Sequence, residues 1–84
     1  MATNKITVSI LSEREKLFEG DVSCLLVPSK KGEVAILPYH TPLILMIVKG
    51  EISIIESGRH RQITTVEKGV LRVDENRAFA LVNL

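Results

Sequence analysis

The strongest constraint on how this chain folds is a rhythm: short apolar-alternating segments recur about every eight to twelve residues, each closed by turn-forming residues. Lys5 to Leu11 is the clearest case, with Ile6, Val8 and Ile10 pointing one way and Lys5, Thr7 and Ser9 the other. A period of two is what a half-buried strand requires, because successive side chains leave opposite faces. No window carries a sustained helical stripe. With 84 residues, the chain is expected to form a single domain, residues 1–84, and such a domain buries only about 60% of its unfolded surface. The expected fold is all-β: a flattened antiparallel β-sandwich or barrel of short strands.

Along the chain, Ser12 to Lys16 is a polar connector. A second strand-like region runs from Leu17 to Val27, and Gly20 inside it predicts a bulge or bend rather than a reversal. Pro28 to Gly32 is a turn, with Gly32 free to adopt positive φ. Leu43 to Val48 is uniformly apolar, which fits either a strand buried on both faces or a helical turn. Glu51 to Glu56 and His60 to Glu67 flank Ser57-Gly58 as a hairpin, with Ile63 and Thr65 on one face and Thr64 and Val66 on the other. Lys68-Gly69 breaks the strand, Val70 to Asp74 is another short strand, Glu75-Asn76 turns, and Arg77 to Leu84 is the last strand.

Composition narrows the function. The hydrophobic fraction is 45% and the net charge +1, so the chain is foldable and has no field that would steer nucleic acid or acidic lipid. Aromatic residues make up 4%, which leaves little for base stacking, and the cluster Arg59-His60-Arg61 lacks interleaved aromatics. No nucleic-acid partner is expected. The one cysteine, Cys24, precludes an internal disulfide. The amino terminus lacks a signal-peptide run, and the six apolar residues of Leu43 to Val48 fall far short of the roughly 18 needed for a membrane span. The expectation is a soluble, cytoplasmic chain.

The chemistry-bearing candidates are few. Cys24 and His40 are the available nucleophile and base, but Cys24 lies in an apolar alternating strand and is expected to be a buried, inert thiol. Two histidines and one cysteine scattered over the chain make no metal signature, and Gly32 and Gly69 are isolated rather than part of a phosphate-cradling loop. No cofactor is expected. The segment Gly32 to Leu43 is different in kind. Pro38 and Pro42 lock φ and bias Leu37 and Thr41 toward extended backbone, so Tyr39 and His40 are held on a stiff excursion. Such a loop is suited to recognition. Lys30-Lys31-Gly32-Glu33 puts two cations and a carboxylate on the preceding turn, where a plain solvated turn would look the same.

The residues Phe18-Glu19-Gly20, Val27-Pro28, Gly32-Glu33-Val34-Ala35-Ile36-Leu37-Pro38-Tyr39-His40-Thr41-Pro42-Leu43, Lys49-Gly50 and Lys68-Gly69-Val70-Leu71-Arg72-Val73 occur in the order found in one family. The chain resembles, over nearly its whole length, the amino-terminal domain of the epsilon subunit of rotary ATP synthases. That resemblance implies a flattened β-sandwich of about ten short strands. It further implies a non-catalytic central-stalk component that binds the gamma subunit and the c-ring and couples ion-driven rotation to ATP synthesis, with catalytic sites on other subunits. The implied location is the cytoplasmic face of the bacterial inner membrane, reached only through the complex. By position, Glu33 matches an acidic residue facing the c-ring, with Lys31 and Gly32 on the same turn. His40 matches the loop histidine near the gamma and c-ring junction, and Ser12 a position facing gamma. Ala35 and Tyr39 depart from the family pattern, which usually has glycine at both; if the backbone at Tyr39 needs positive φ, a tyrosine there is strained. Tyr39 is expected to be exposed. The family's carboxy-terminal helical hairpin is expected to be absent. The alternatives are a generic β-sandwich binding module for a peptide or small ligand, which a deep apolar pocket would favour, and a hydrolase built on Cys24 and His40.

Overall fold

The computed structural model describes residues 4–84. The reading of the amino terminus rests partly on the three residues before these and so lies partly outside the described residues. Among the described residues nine strands follow one another: β1 (Ile6–Ser12), β2 (Lys16–Val22), β3 (Cys24–Ser29), β4 (Gly32–Ile36), β5 (Leu43–Ile47), β6 (Gly50–Glu56), β7 (Arg59–Val66), β8 (Lys68–Asp74) and β9 (Arg77–Asn83). Among the described residues there is no helix. The strands form two sheets, β2-β1-β9-β8-β5 and β4-β3-β6-β7. The all-β sandwich is therefore as expected. All pairings are antiparallel except that of β1 with β9, which is parallel.

The alternation in β1 does what its pattern demands: Ile6, Val8 and Ile10 are fully buried between the sheets. They meet Leu25 and Val27 of β3, Ile52 and Ile54 of β6, and Leu71 of β8 in one continuous core. Burying such side chains is the main favourable term in folding, on the order of 1.5–3 kcal/mol for each large aliphatic.

The region from Leu17 to Val27 is not one bent strand. It divides at Ser23 into β2 and β3, which belong to different sheets. The Ser23 amide donates to the Ile55 carbonyl oxygen at 2.8 Å, so at this residue the backbone has already joined the second sheet. Nor does Gly20 make a bulge; it pairs regularly with Val8, and the irregularity lies at Leu17, where Phe18 opposes Ile10 and Lys16 opposes Leu11. The glycine serves packing. A Cβ at position 20 would stand 3.3 Å from the Phe18 ring, over which the Arg61 guanidinium lies 5.6 Å from the centroid.

Two other expectations change. The β6–β7 register shifts between Ile52 and Ser53, leaving Ile63 as the extra residue. That bulge lets both Ile63 and Val66 reach the core, although simple alternation puts them on opposite faces. The apolar run at Leu43 is a strand, but at the edge of its sheet with one face in solvent. The chain then crosses to the other sheet: the Val48 amide donates to the Pro28 carbonyl oxygen at 3.1 Å, and Gly50 follows where a Cβ would meet the Pro28 ring at 2.9 Å.

Candidate functional site

The segment between β4 and β5 is a hook built on one turn. The His40 amide donates to the Leu37 carbonyl oxygen at 3.2 Å, closing a four-residue turn with Pro38 and Tyr39 at its centre. Tyr39 has φ of +62°, in the left-handed region. Proline at the first central position and positive φ at the second define a type II turn, whose second central residue is ordinarily glycine. The positive φ that strains a tyrosine is therefore present in this turn. Tyr39 is 60% exposed, as expected, and Leu37 beside it is also exposed. His40 is half-buried, and its Nδ1 lies 2.7 Å from the Thr41 carbonyl oxygen. A carbonyl only accepts, so Nδ1 is the donor in this contact.

The hook is anchored by a neighbour in space. Asn76, in the β8–β9 turn, accepts a hydrogen bond from the Tyr39 amide through Oδ1 at 2.8 Å. Its Nδ2 donates to the Lys5 carbonyl oxygen at 2.9 Å. Sequence reasoning assigned Asn76 only to a turn, since its partners are 37 and 71 residues away.

The six expected interface residues do not gather in one patch. Tyr39 and His40 lie at the end of the sandwich that holds Asn76 and Lys5. Ser12 lies toward the opposite end, because it pairs with Val82, Val82 with Gly69, and Gly69 with Ile47 at the exit of β5. The turn bearing Lys31, Gly32 and Glu33 is near that exit too, since Glu33 pairs with Pro28, which receives the Val48 amide. Strand β4 joins this turn to the hook along a sheet edge, over about 17 Å for five residues. Lys31, Gly32 and Glu33 are all exposed, and Gly32 has φ of +108°. The Ser29 hydroxyl shapes the turn, donating to the Gly32 carbonyl oxygen at 2.8 Å and accepting from the Lys31 amide at 3.2 Å. Ser12 closes the β1–β2 connection: its Oγ donates to the Glu15 carbonyl oxygen and accepts from the Glu15 amide, each at 3.2 Å.

A larger feature emerges on the outer face of the five-stranded sheet. Ile44, Met46, Val70, Phe79 and Leu81 are all large, apolar and exposed; Ile44 reaches 75%. They are cross-strand neighbours. Met46 opposes Val70, Val70 opposes Leu81, and Leu81 opposes Leu11, while Arg72 stands between Ile44 and Phe79. Pro42 lies beside Ile44 and Arg72 in a shallow depression, so hook and stripe are continuous. A contiguous exposed apolar patch of this kind is a candidate interaction surface.

The remaining candidates have plainer settings. Cys24 is 6% exposed, and its thiol lies 3.8 Å from the Leu25 carbonyl oxygen. Burial pushes the thiol above its ordinary value of 9.0, and the Glu33 carboxylate pushes it further, against a smaller opposing effect of the Ile36 backbone. Such a thiol is a poor nucleophile. A wide concavity beside Ser12 and Leu84 is walled by Glu13, Arg14 and Glu15, and so is not a deep apolar pocket.

Residues 5–83 match the family model for the β-sandwich domain of the ATP synthase delta/epsilon chain. The chain is 34% identical over 83 residues to the ATP synthase epsilon chain of Leptospira interrogans, covering 99% of this chain and 65% of that one. It is 35% identical over 74 residues to the epsilon chain of Psychrobacter arcticus, covering 88% of this chain and 54% of the relative. The chain thus spans somewhat less than two thirds of the length of these relatives. Its fold is also that of a chain in the Euglena gracilis mitochondrial ATP synthase OSCP/F1/c-ring structure, with a TM-score of 0.86 at 14% identity over 95% of this chain and 51% of that one. A chain of the Tetrahymena thermophila mitochondrial ATP synthase central stalk/c-ring structure matches with a TM-score of 0.80 at 12% identity over 100% of this chain and 67% of that one.

Proposed function

The chain belongs to the ATP synthase delta/epsilon family of β-sandwich domains, and from that premise we propose that it is a rotor component joining the gamma subunit to the c-ring. Its work is contact rather than bond chemistry, and the catalytic sites lie on other subunits. It couples ion-driven rotation to ATP synthesis at the cytoplasmic face of the bacterial inner membrane, where it is held peripherally through the complex. The observation that carries this reading is the exposed apolar stripe from Ile44 to Leu81, continuous with the hook. Gamma covers the stripe and packs against Tyr39, with Ser12 at the far margin. The c-ring meets the β4 edge through Lys31, Gly32 and Glu33, and His40 lies at the junction of the two partners. The solved relatives come from assemblies described as F1/c-ring and central stalk/c-ring, which is the setting this reading requires.

A stiff sandwich suits the task. Its loops are pre-set by prolines and its sheets are tied into one core, so docking orders little that was loose. Co-purification with a recombinant gamma subunit tests the reading directly. A complex at micromolar concentration is expected, and Ile44→Thr combined with Leu81→Thr should abolish it. Failure of the unaltered chain to bind gamma overturns the proposal.

A further inference from the structure

We infer that Asn76 is the positioning residue of the hook: its carboxamide captures the central amide of the Leu37–His40 turn, selects the type II form, and so sets the direction of Tyr39 and His40. Type I and type II turns share the same closing hydrogen bond and differ by a flip of the central peptide. In this hook the central peptide joins Pro38 to Tyr39, and its N–H is the group bonded to Asn76 Oδ1 at 2.8 Å. A flip to type I would carry Tyr39 back to negative φ, which an L-residue prefers by roughly 1–2 kcal/mol, but would turn that N–H away from Asn76. With glycine at position 39 no such bond is needed. With tyrosine, the chain requires an outside group to hold the amide.

Asn76 is itself fixed. It has φ of +58° in the tight β8–β9 turn, a conformation asparagine tolerates. Its carbonyl oxygen receives the Thr7 amide at 3.3 Å, and its Nδ2 bonds the Lys5 carbonyl oxygen at 2.9 Å. One side chain therefore ties the hook, the start of β1 and the β8–β9 turn together, and the amide assignment is dictated because Tyr39 N–H can only donate and Lys5 C=O only accept. The consequence for binding rests on the reading of the hook as a gamma contact; the conformational claim stands without it.

The test is Asn76→Gly, which keeps the positive-φ turn and deletes only the carboxamide. The strong nuclear Overhauser contact between Pro38 Hα and the Tyr39 amide, diagnostic of type II, should weaken in this variant. Exchange of the Tyr39 amide should accelerate about tenfold or more, as expected for loss of one such hydrogen bond. Affinity for recombinant gamma should fall. In the double variant Asn76→Gly/Tyr39→Gly the type II signature should return, because glycine adopts that turn unaided. If Asn76→Gly retains both the Overhauser contact and the slow exchange, the inference is wrong. Should the variant not fold, the unaltered protein still decides: a Tyr39 amide exchanging as fast as in an unstructured peptide overturns it. If the unaltered chain fails to bind gamma while the spectroscopic changes occur, the functional reading falls and the role of Asn76 stands.

Discussion

Gly69 of β8 and Leu81 of β9 approach so closely that a Cβ on Gly69 would stand 2.6 Å from the Leu81 carbonyl oxygen. The neighbouring Val82 Cγ1 would be 2.9 Å away, so the backbone of two paired strands blocks any side chain there. Gly69→Ala is therefore expected to destabilise the fold by about 1–3 kcal/mol, the usual cost of forcing atoms into a filled site. Urea unfolding measures it, and a midpoint equal to the parent's would contradict the geometry.

The outer apolar stripe gives the opposite expectation. Ile44 is 75% and Leu81 53% exposed, and neither belongs to the core. Ile44→Thr and Leu81→Thr keep good strand formers and should each shift stability by no more than about 0.5 kcal/mol. Binding to gamma should nevertheless weaken about tenfold or more for each, if these residues are anchors. Isothermal titration alongside thermal unfolding separates the two effects; a loss of stability equal to the loss of binding would mean the residues are structural.

Tyr39→Gly relieves backbone strain at φ +62°. The gain of roughly 1–2 kcal/mol is partly offset by the greater freedom of glycine in the unfolded chain, about 0.4–1 kcal/mol. A net stabilisation of about 0.5 kcal/mol is expected. Gamma affinity should fall all the same, because the exposed ring is removed. A destabilised Tyr39→Gly would show that the ring packs more tightly than its exposure implies.

Cys24 makes a prediction in pH. Its pKa in the folded chain is raised above 9.0, first by burial and then by Glu33. The folded state therefore holds the thiol proton more firmly than the unfolded state. That contribution to stability is fully present below about pH 9 and is lost as the pH climbs through the folded value. Cys24→Ala should flatten the alkaline limb of the stability profile, and the native thiol should be alkylated far more slowly at pH 8 than in denaturant. Rapid native alkylation would show that the site is open.

Much of this fold was legible because local patterning and tertiary demand agree. β1, the Ser57-Gly58 turn and the Glu75-Asn76 turn follow directly from alternation and turn chemistry. The division of β2 from β3 at Ser23 was not legible, because a strand changing sheets keeps its extended backbone and its apolar character; only the partner, Ile55, reveals it. The site divides similarly. The prolines announce the hook and its exposed tyrosine, whereas Asn76 is invisible without the fold that brings it to Tyr39. The outer stripe did have a signal. Leu43 to Ile47 and Ala78 to Val82 are apolar on both faces, and a two-layered sandwich can bury only one of them.

The parallel pairing of β1 with β9 bears on how the molecule comes into being. Strand β9 is the middle member of the five-stranded sheet, with β1 and β2 on one flank and β8 and β5 on the other. Until residues 77–83 have emerged from the ribosome, those two flanks share no strand pairing within this sheet. Each would expose an unpaired strand to other nascent chains. The five-stranded sheet cannot be completed before β9 is available, so a stalled or proteolysed chain lacking this strand is predicted to aggregate rather than persist as a partial fold.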